Sequence, residues 1–343
     1  MEYFSKPELL ESPPVKRAAY SDRMAWIMAE LARLVYDQLP AEMTSNALLE
    51  KVKKAVTEND DQSVLQIIAE VQGASTGKGQ SELEQALQRG GLEFLESFAK
   101  NGTEAMLVKL SPKGDYAGML VVVFRGTQPN IKDVSTDIKT DLVDARGGGR
   151  VHRGFIEAFD LVEDQIKQAL DKHKGPPVYF CGHSLGGALA VVATRYIGSD
   201  TIGATYTFGG PRVANAEFFK SVKTPVYRVV NAADAVPRVP FGIGIVFLLW
   251  LVNLLPYIGG KCSEFLRDKI KGYTHHGNLV YLTALSKPGS YDEVSVRKSP
   301  NYFFVVFNAG KRLLTNFKAG GDDHRMVEYC SKLLAYAVKR QRS

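Results

Sequence analysis

The apolar run Val178-Tyr-Phe-Cys181 passes directly into Gly182-His-Ser-Leu-Gly-Gly187, and from there into Ala188-Leu-Ala-Val-Val-Ala-Thr194. A short continuous apolar run reads as a strand buried on both faces, and the small-residue stretch behind it reads as a helix. The glycines permit a turn too sharp for a side chain, which lifts Ser184 out at the carboxyl end of the strand. The helix then aims amides that lack an intrahelical acceptor at the place where negative charge develops in acyl transfer. G-x-S-x-G by itself is common; the strand before it and the helix after it make it informative.

The surrounding pattern extends this unit. Thr103 to Leu110, Ala117 to Phe124, Ala204 to Phe208 and Val226 to Val230 read as further strands, with helical patterns at Phe155 to His173 and Leu185 to Ile197. Strands alternating with helices imply a mostly parallel central sheet with helices on both faces, so the fold class is α/β. Upstream, Met24, Ile27, Met28, Leu31, Leu34 and Val35 recur at helical spacing, from a start at Ser21 or Asp22 to a stop before Pro40. Helical patterns at Ser45 to Val71 and Ser81 to Gln88 add an N-terminal helical decoration, expected as an insertion over about 41–100. Residues 1–19 read as a proline-containing extension and 20–343 as a single domain; at 45% hydrophobic residues the chain can bury one sizeable core.

Charge and cysteine usage remove several function classes. The formal net charge of +6 is scattered along the chain, which argues against nucleic acid and leaves a weak attraction to anionic lipid. Cys181, Cys262 and Cys330 are too few and too far apart for a disulfide framework or a zinc site, and no spacing implies a metal or an organic cofactor. The first residues hold no apolar stretch of the secretory kind, so the expectation is an intracellular protein, cytoplasmic or peripherally membrane-associated.

Five blocks in order resemble the class 3 (fungal-type) lipases of the α/β-hydrolase fold: Phe124-Arg-Gly-Thr127, Val151-His-Arg-Gly-Phe155, Gly182 to Gly187, Phe208-Gly-Gly-Pro-Arg-Val213 and Asn231-Ala-Ala-Asp-Ala-Val-Pro237. The helix Ala29-Glu-Leu-Ala-Arg-Leu-Val-Tyr36 is similar to that family's first helix, so the resemblance runs from about residue 20 onward. A serine hydroxyl needs a base within hydrogen-bond reach and a group that orients the base, and in this fold the chain order is serine, acid, histidine. The resemblance implies Ser184 as nucleophile, Asp234 as the acid and His324, in Asp323-His324, as the base. His275 and His276 remain the alternatives for the base, although Tyr273-Thr-His-His-Gly-Asn278 is similar to a block that supports the acid loop. The same resemblance implies an oxyanion hole from the backbone N–H of Leu185 and from Thr127. His183 is expected to pack beneath the nucleophile, and His152 to fix a loop.

Pro240 to Gly260 contains no charged side chain. Its length approaches that of a membrane span, but a single span would separate Asp234 from His324, which must meet at one serine. An apolar wall at a lipid interface or a buried helix fits better, and Phe241, Val246, Phe247, Leu248, Leu249, Trp250 and Leu251 are the lipid-binding candidates. A second run, Tyr302-Phe-Phe-Val-Val-Phe307, is expected to pack in the core, with the lipid surface as its alternative. The family's usual lid position, Gln128 to Asp144, is rich in charge here. The expected function is a lipase cleaving acylglycerol esters through an acyl-enzyme at a lipid interface. Phospholipase A1-type action on membrane phospholipids and a catalytically inactive lipase-like binding module are the alternatives.

Overall fold

The computed structural model describes residues 2–10, 19–37, 62, 78–111, 118–126, 141–198, 202–239, 272–287, 289–316 and 318–341. In chain order its elements begin with α1 (Asp22–Asp37), α2 (Lys78–Arg89), β1 (Leu92–Lys100), β2 (Thr103–Leu110) and β3 (Met119–Phe124). They continue with β4 (Leu142–Asp144), β5 (Arg150–His152), α3 (Arg153–Asp160), α4 (Glu163–Lys172), β6 (Val178–His183), α5 (Leu185–Tyr196), β7 (Ile202–Phe208), α6 (Ala216–Phe219) and β8 (Val226–Asn231). After β9 (Asn278–Leu282) and β10 (Val296–Lys298) come α7 (Tyr302–Thr315), α8 (Ala319–Asp322) and α9 (Met326–Gln341).

The main sheet runs β1-β2-β3-β6-β7-β8-β9-β10. Strands β3, β6, β7, β8 and β9 pair in parallel, while β1, β2 and β10 join antiparallel at the edges. Alternation within the central strands feeds two cores. Met119, Val121 and Val123 of β3, with Tyr179 and Cys181 of β6, pack on one face under α1 and α9. Leu120, Val122 and Phe124, with Val178 and Phe180, pack on the other under α3, α4 and α5. Both faces of these strands are therefore dry, which explains their unbroken apolar sequences. In open sheets of this kind ligands bind beyond the carboxyl ends of the strands, where β6 and β8 end here at His183 and Asn231.

Two expectations are corrected. The helical insertion over about 41–100 ends earlier, because Leu92–Lys100 is strand β1, paired antiparallel with β2. A bulge between Phe94 and Glu96 inserts Leu95, so Phe94 packs with one core and Phe98, of the same parity, with the other. That break in alternation, together with helix-forming Glu, Leu and Ala, disguises the strand. The run 302–307 does not pack in the core: it is the start of α7, with Phe303 84% and Phe307 73% exposed.

Candidate active site

Strand β6 hands over to α5 through Ser184, whose backbone stands at φ 55°, ψ −124°, a region closed to most residues with a side chain. Two close approaches fix this turn. A side chain at Gly182 would collide with the backbone of Gly186 and Gly187, and one at Gly186 with the carbonyl of Phe124 and the amide of Gly126. The pattern of glycines thus records backbone pressed against backbone. The Ser184 amide donates to the carbonyl of Phe208 at 2.9 Å, and the hydroxyl is not spent on capping α5. Leu185 is the first residue of that helix, so its amide has no intrahelical acceptor. Thr127 lies outside the described residues, but the Phe124 to Gly126 segment leading to it rests against Gly186.

Asp234 follows β8 and is fully buried. Its carboxylate accepts from three directions: His324 Nδ1 at 3.0 Å from each oxygen, the Val236 amide at 2.9 Å on Oδ1, and the Tyr329 hydroxyl at 2.6 Å on Oδ2. A carboxylate partner at Nδ1 fixes the ring proton there and leaves Nε2 as the basic nitrogen. Gly209, at φ 58°, follows Phe208, the residue holding the Ser184 amide. A side chain on it would stand 2.6 Å from Asp234 Oδ2 and 2.9 Å from His324 Nδ1. Residues 184, 234 and 324 are therefore gathered around one glycine of β7's exit.

The other histidines are occupied differently. His183 Nε2 lies 2.7 Å from the carbonyl of His324, which can only accept, so the proton is on Nε2. Its ring centroid stands 4.3 Å from that of His324. Burial, and then the charge on His324, push the His183 pKa well below its ordinary value, so this ring is neutral. His275 Nε2 donates to the carbonyl of Pro237 at 2.6 Å, bracing the acid loop, and burial lowers its pKa as well. His276 stacks on Phe219 at 4.7 Å, and His152 stacks on Phe155 at 4.0 Å.

A second layer of contacts, to which sequence reasoning assigned no function, holds Asp234 and His324 in register. Asp323 accepts from the Ala233 amide at 3.0 Å through Oδ2, while its carbonyl accepts from Asn231 Nδ2 at 2.8 Å. Lys332, 2% exposed, donates to Asn231 Oδ1 at 2.6 Å and to the Thr283 carbonyl at 3.0 Å. Burial brings its pKa down to about 8. Tyr329 also accepts from the Asn231 amide at 3.0 Å; burial, then the neighbouring Asp234, push its phenol pKa far up, so it stays a donor. At the nucleophile end, Arg125 pairs with Glu104 at 2.5 Å and donates to the Tyr36 carbonyl at 3.2 Å. The Tyr36 hydroxyl donates to the His183 carbonyl at 3.1 Å. The only sequence signal for this layer is the spacing of Tyr329 and Lys332 beyond His324, one and two turns into the helix that the base precedes.

The lipid-binding candidates at 241, 246, 247, 248, 249, 250 and 251 lie outside the described residues, as does most of the 128–144 stretch. Among the described residues, no helix is long and apolar enough to cross a membrane, and no cluster of His, Cys, Asp or Glu has the form of a metal site.

With this geometry in view, residues 121–243 match the family model for Lipase (class 3). The secreted mono- and diacylglycerol lipase 1 of Fusarium solani is 42% identical over 106 residues, 28% of this chain and 32% of that protein. Toxin TseL of Vibrio cholerae is 36% identical over 175 residues, 45% of this chain and 26% of the toxin. The chain thus spans about a third or less of the length of these two curated relatives. Among solved structures, the native Rhizomucor miehei lipase propeptide complex is similar at 23% identity, over 62% of this chain and 61% of that one, with a TM-score of 0.45. The turn at Ser184, the strand order and the matched segment agree: residues 121–243 carry the sequence pattern of the class 3 lipases, set in a mostly parallel sheet with helices on both faces.

Proposed function

We propose that the chain is a serine-dependent carboxylic ester hydrolase, a lipase that cleaves acylglycerol esters through an acyl-enzyme. The observation that carries this reading is the His324 imidazole, bound through Nδ1 to both oxygens of a fully buried Asp234 and set against the glycine that adjoins the Ser184 turn. His324 Nε2 takes the Ser184 proton as Oγ attacks the ester carbonyl, and returns it to the departing glycerol oxygen. Asp234 stabilises the imidazolium that exists between those two events. The Leu185 amide receives the oxyanion, with Thr127 as the second donor that the family resemblance implies. Water then repeats the sequence on the acyl-enzyme and releases the fatty acid.

Relatives named as acylglycerol lipases support the substrate class. Peripheral contact with a lipid surface follows from it, and Phe241, Val246, Phe247, Leu248, Leu249, Trp250 and Leu251 are the segment assigned to that contact. Phospholipase A1-type activity is the second reading; it is favoured by the stretch 294–321, which carries Arg297, Lys298, Lys311, Arg312 and Lys318 and no acidic residue.

The test is product analysis on mixed vesicles of triacylglycerol, diacylglycerol and phospholipid, with Ser184→Ala in parallel. Free fatty acid with mono- or diacylglycerol, absent in the variant, is the expected result; lysophospholipid as sole product selects the second reading. A fluorophosphonate probe that fails to label Ser184 would mark the chain as a binding module and overturn both.

A further inference from the structure

Helix α7 turns the wrong side outward for a surface helix. Ala309 is buried against Ala233 and Ala319, with Leu313 packed beside it, so the inner line is small. The outer line, at helical spacing, is Phe303, Val306, Phe307, Gly310 and Leu314. Phe303 is 84% exposed, Phe307 73% and Leu314 79%, and Tyr302 beside them 65%. At Gly310 an added side-chain carbon would meet nothing within 4 Å. Scattered exposed apolar residues are ordinary, whereas two phenylalanines, a valine and a leucine on one helical stripe form a continuous patch.

The chain segment that carries the patch is basic. No acidic residue occurs between Glu293 and Asp322, and that interval holds Arg297, Lys298, Lys311, Arg312 and Lys318. Arg297, Lys298, Lys311 and Lys318 are exposed. An aromatic and aliphatic stripe bordered by cations is complementary to an anionic lipid surface: the cations meet headgroup phosphates while the stripe enters the acyl boundary.

The helix is also continuous with the active site. Its buried Ala309 rests on Ala233, the neighbour of Asp234, and Arg312 pairs at 3.4 Å with Asp323, the neighbour of His324. A surface seated on α7 is therefore seated on the loops that supply the acid and the base.

We propose that the outward face of α7, centred on Phe303, Val306, Phe307 and Leu314 and rimmed by Arg297 and Lys311, docks the protein on an anionic lipid interface. This deepens the lipase reading and rests on it for its consequence, delivery of the site to its substrate. A lipid surface is favoured over a second copy of the chain because the segment 294–321 that carries the patch holds five basic residues and no acidic one, and two copies meeting there would repel.

The experiment measures co-sedimentation with large vesicles, phosphatidylcholine alone or with one fifth phosphatidylglycerol, in a Ser184→Ala background so that no lipid is consumed. The double variant Phe303→Ser, Phe307→Ser should lose binding by at least about tenfold, as expected from withdrawing two aromatic side chains from an apolar phase. Lys311→Glu should lose binding only on the anionic vesicles, more so at low salt. In the active background, both should keep their turnover of a water-soluble ester, which also reports correct folding. Undiminished vesicle binding by the folded double variant overturns the docking role. So does a parent dimer that these substitutions dissociate while vesicle binding is unaffected. Failure of the lipase reading looks different: the vesicles still bind through α7, but the active-background parent hydrolyses no ester.

Discussion

Tyr329 donates its phenolic hydrogen to Asp234 Oδ2 at 2.6 Å while its oxygen accepts from the Asn231 amide at 3.0 Å. One buried ring thus joins the acid to the end of the strand that carries it. Tyr329→Phe removes both bonds at once and leaves the Asn231 amide without its acceptor. The expected cost is about 1–3 kcal/mol of stability. Ester turnover should fall by about tenfold, through kcat more than KM, since the tyrosine orients the acid and does not touch substrate. Urea unfolding and steady-state kinetics on a soluble ester check both; unchanged kcat in a destabilised variant would reduce Tyr329 to a packing residue.

Gly209→Ala tests the crowding behind the acid and the base. The position has φ 58°, and its new methyl would stand 2.6 Å from Asp234 Oδ2. The left-handed backbone costs about 1 kcal/mol for alanine, and the carboxylate or the imidazole must shift as well. Activity should drop at least about tenfold. Circular dichroism and fluorophosphonate labelling rate are the measurements, and a normal labelling rate would mean that the pair tolerates the displacement.

The buried histidines give the protein an acid limit. His183 and His275 both have pKa values well below the ordinary 6.5, chiefly through burial. The unfolded chain takes up protons near pH 6.5 that these rings refuse in the fold, so their contribution is fully present above that pH and is lost as pH falls toward the folded values. The slope is up to about 1.4 kcal/mol per pH unit for each ring. Unfolding free energies measured from pH 8 to 5 should decline below 6.5, and His275→Gln should decline less steeply. Parallel pH curves for the two proteins would remove His275 from this account.

Replacing Leu248, Leu249 and Trp250 together by serine tests the lipid contact assigned to the apolar segment. Long-chain ester hydrolysis on vesicles should fall, while soluble-ester turnover stays within about twofold of the parent. Vesicle binding and long-chain hydrolysis both equal to the parent's would exclude this stretch from the interface.

The parts of the site that were readable in the sequence are those whose signal is local. At Gly182 and Gly186 the backbone itself leaves no room for a side chain, so the elbow is written in consecutive letters. The central strands are likewise legible because burial on both faces demands unbroken apolar runs. Strand β1 was hidden by its bulge, which places Phe94 and Phe98 on opposite faces despite equal parity. Tyr329 and Lys332 were unreadable for a different reason. Their importance depends on how α9 is rotated over β8, and helical spacing alone does not say which face meets a carboxylate. In α7 the apolar pattern was visible, but pattern does not distinguish a face turned to a core from one turned outward.

The contact between His183 and His324 spans 141 positions of the chain. During synthesis at about 5–20 residues per second, the nucleophile turn emerges roughly 7–30 s before the ring that must activate it. A nascent chain therefore carries a serine without a base, attached to a sheet still waiting for the helix that braces it. On the proposed mechanism, ester cleavage waits until His324 and the helix α9 behind it have both been made and folded onto the sheet.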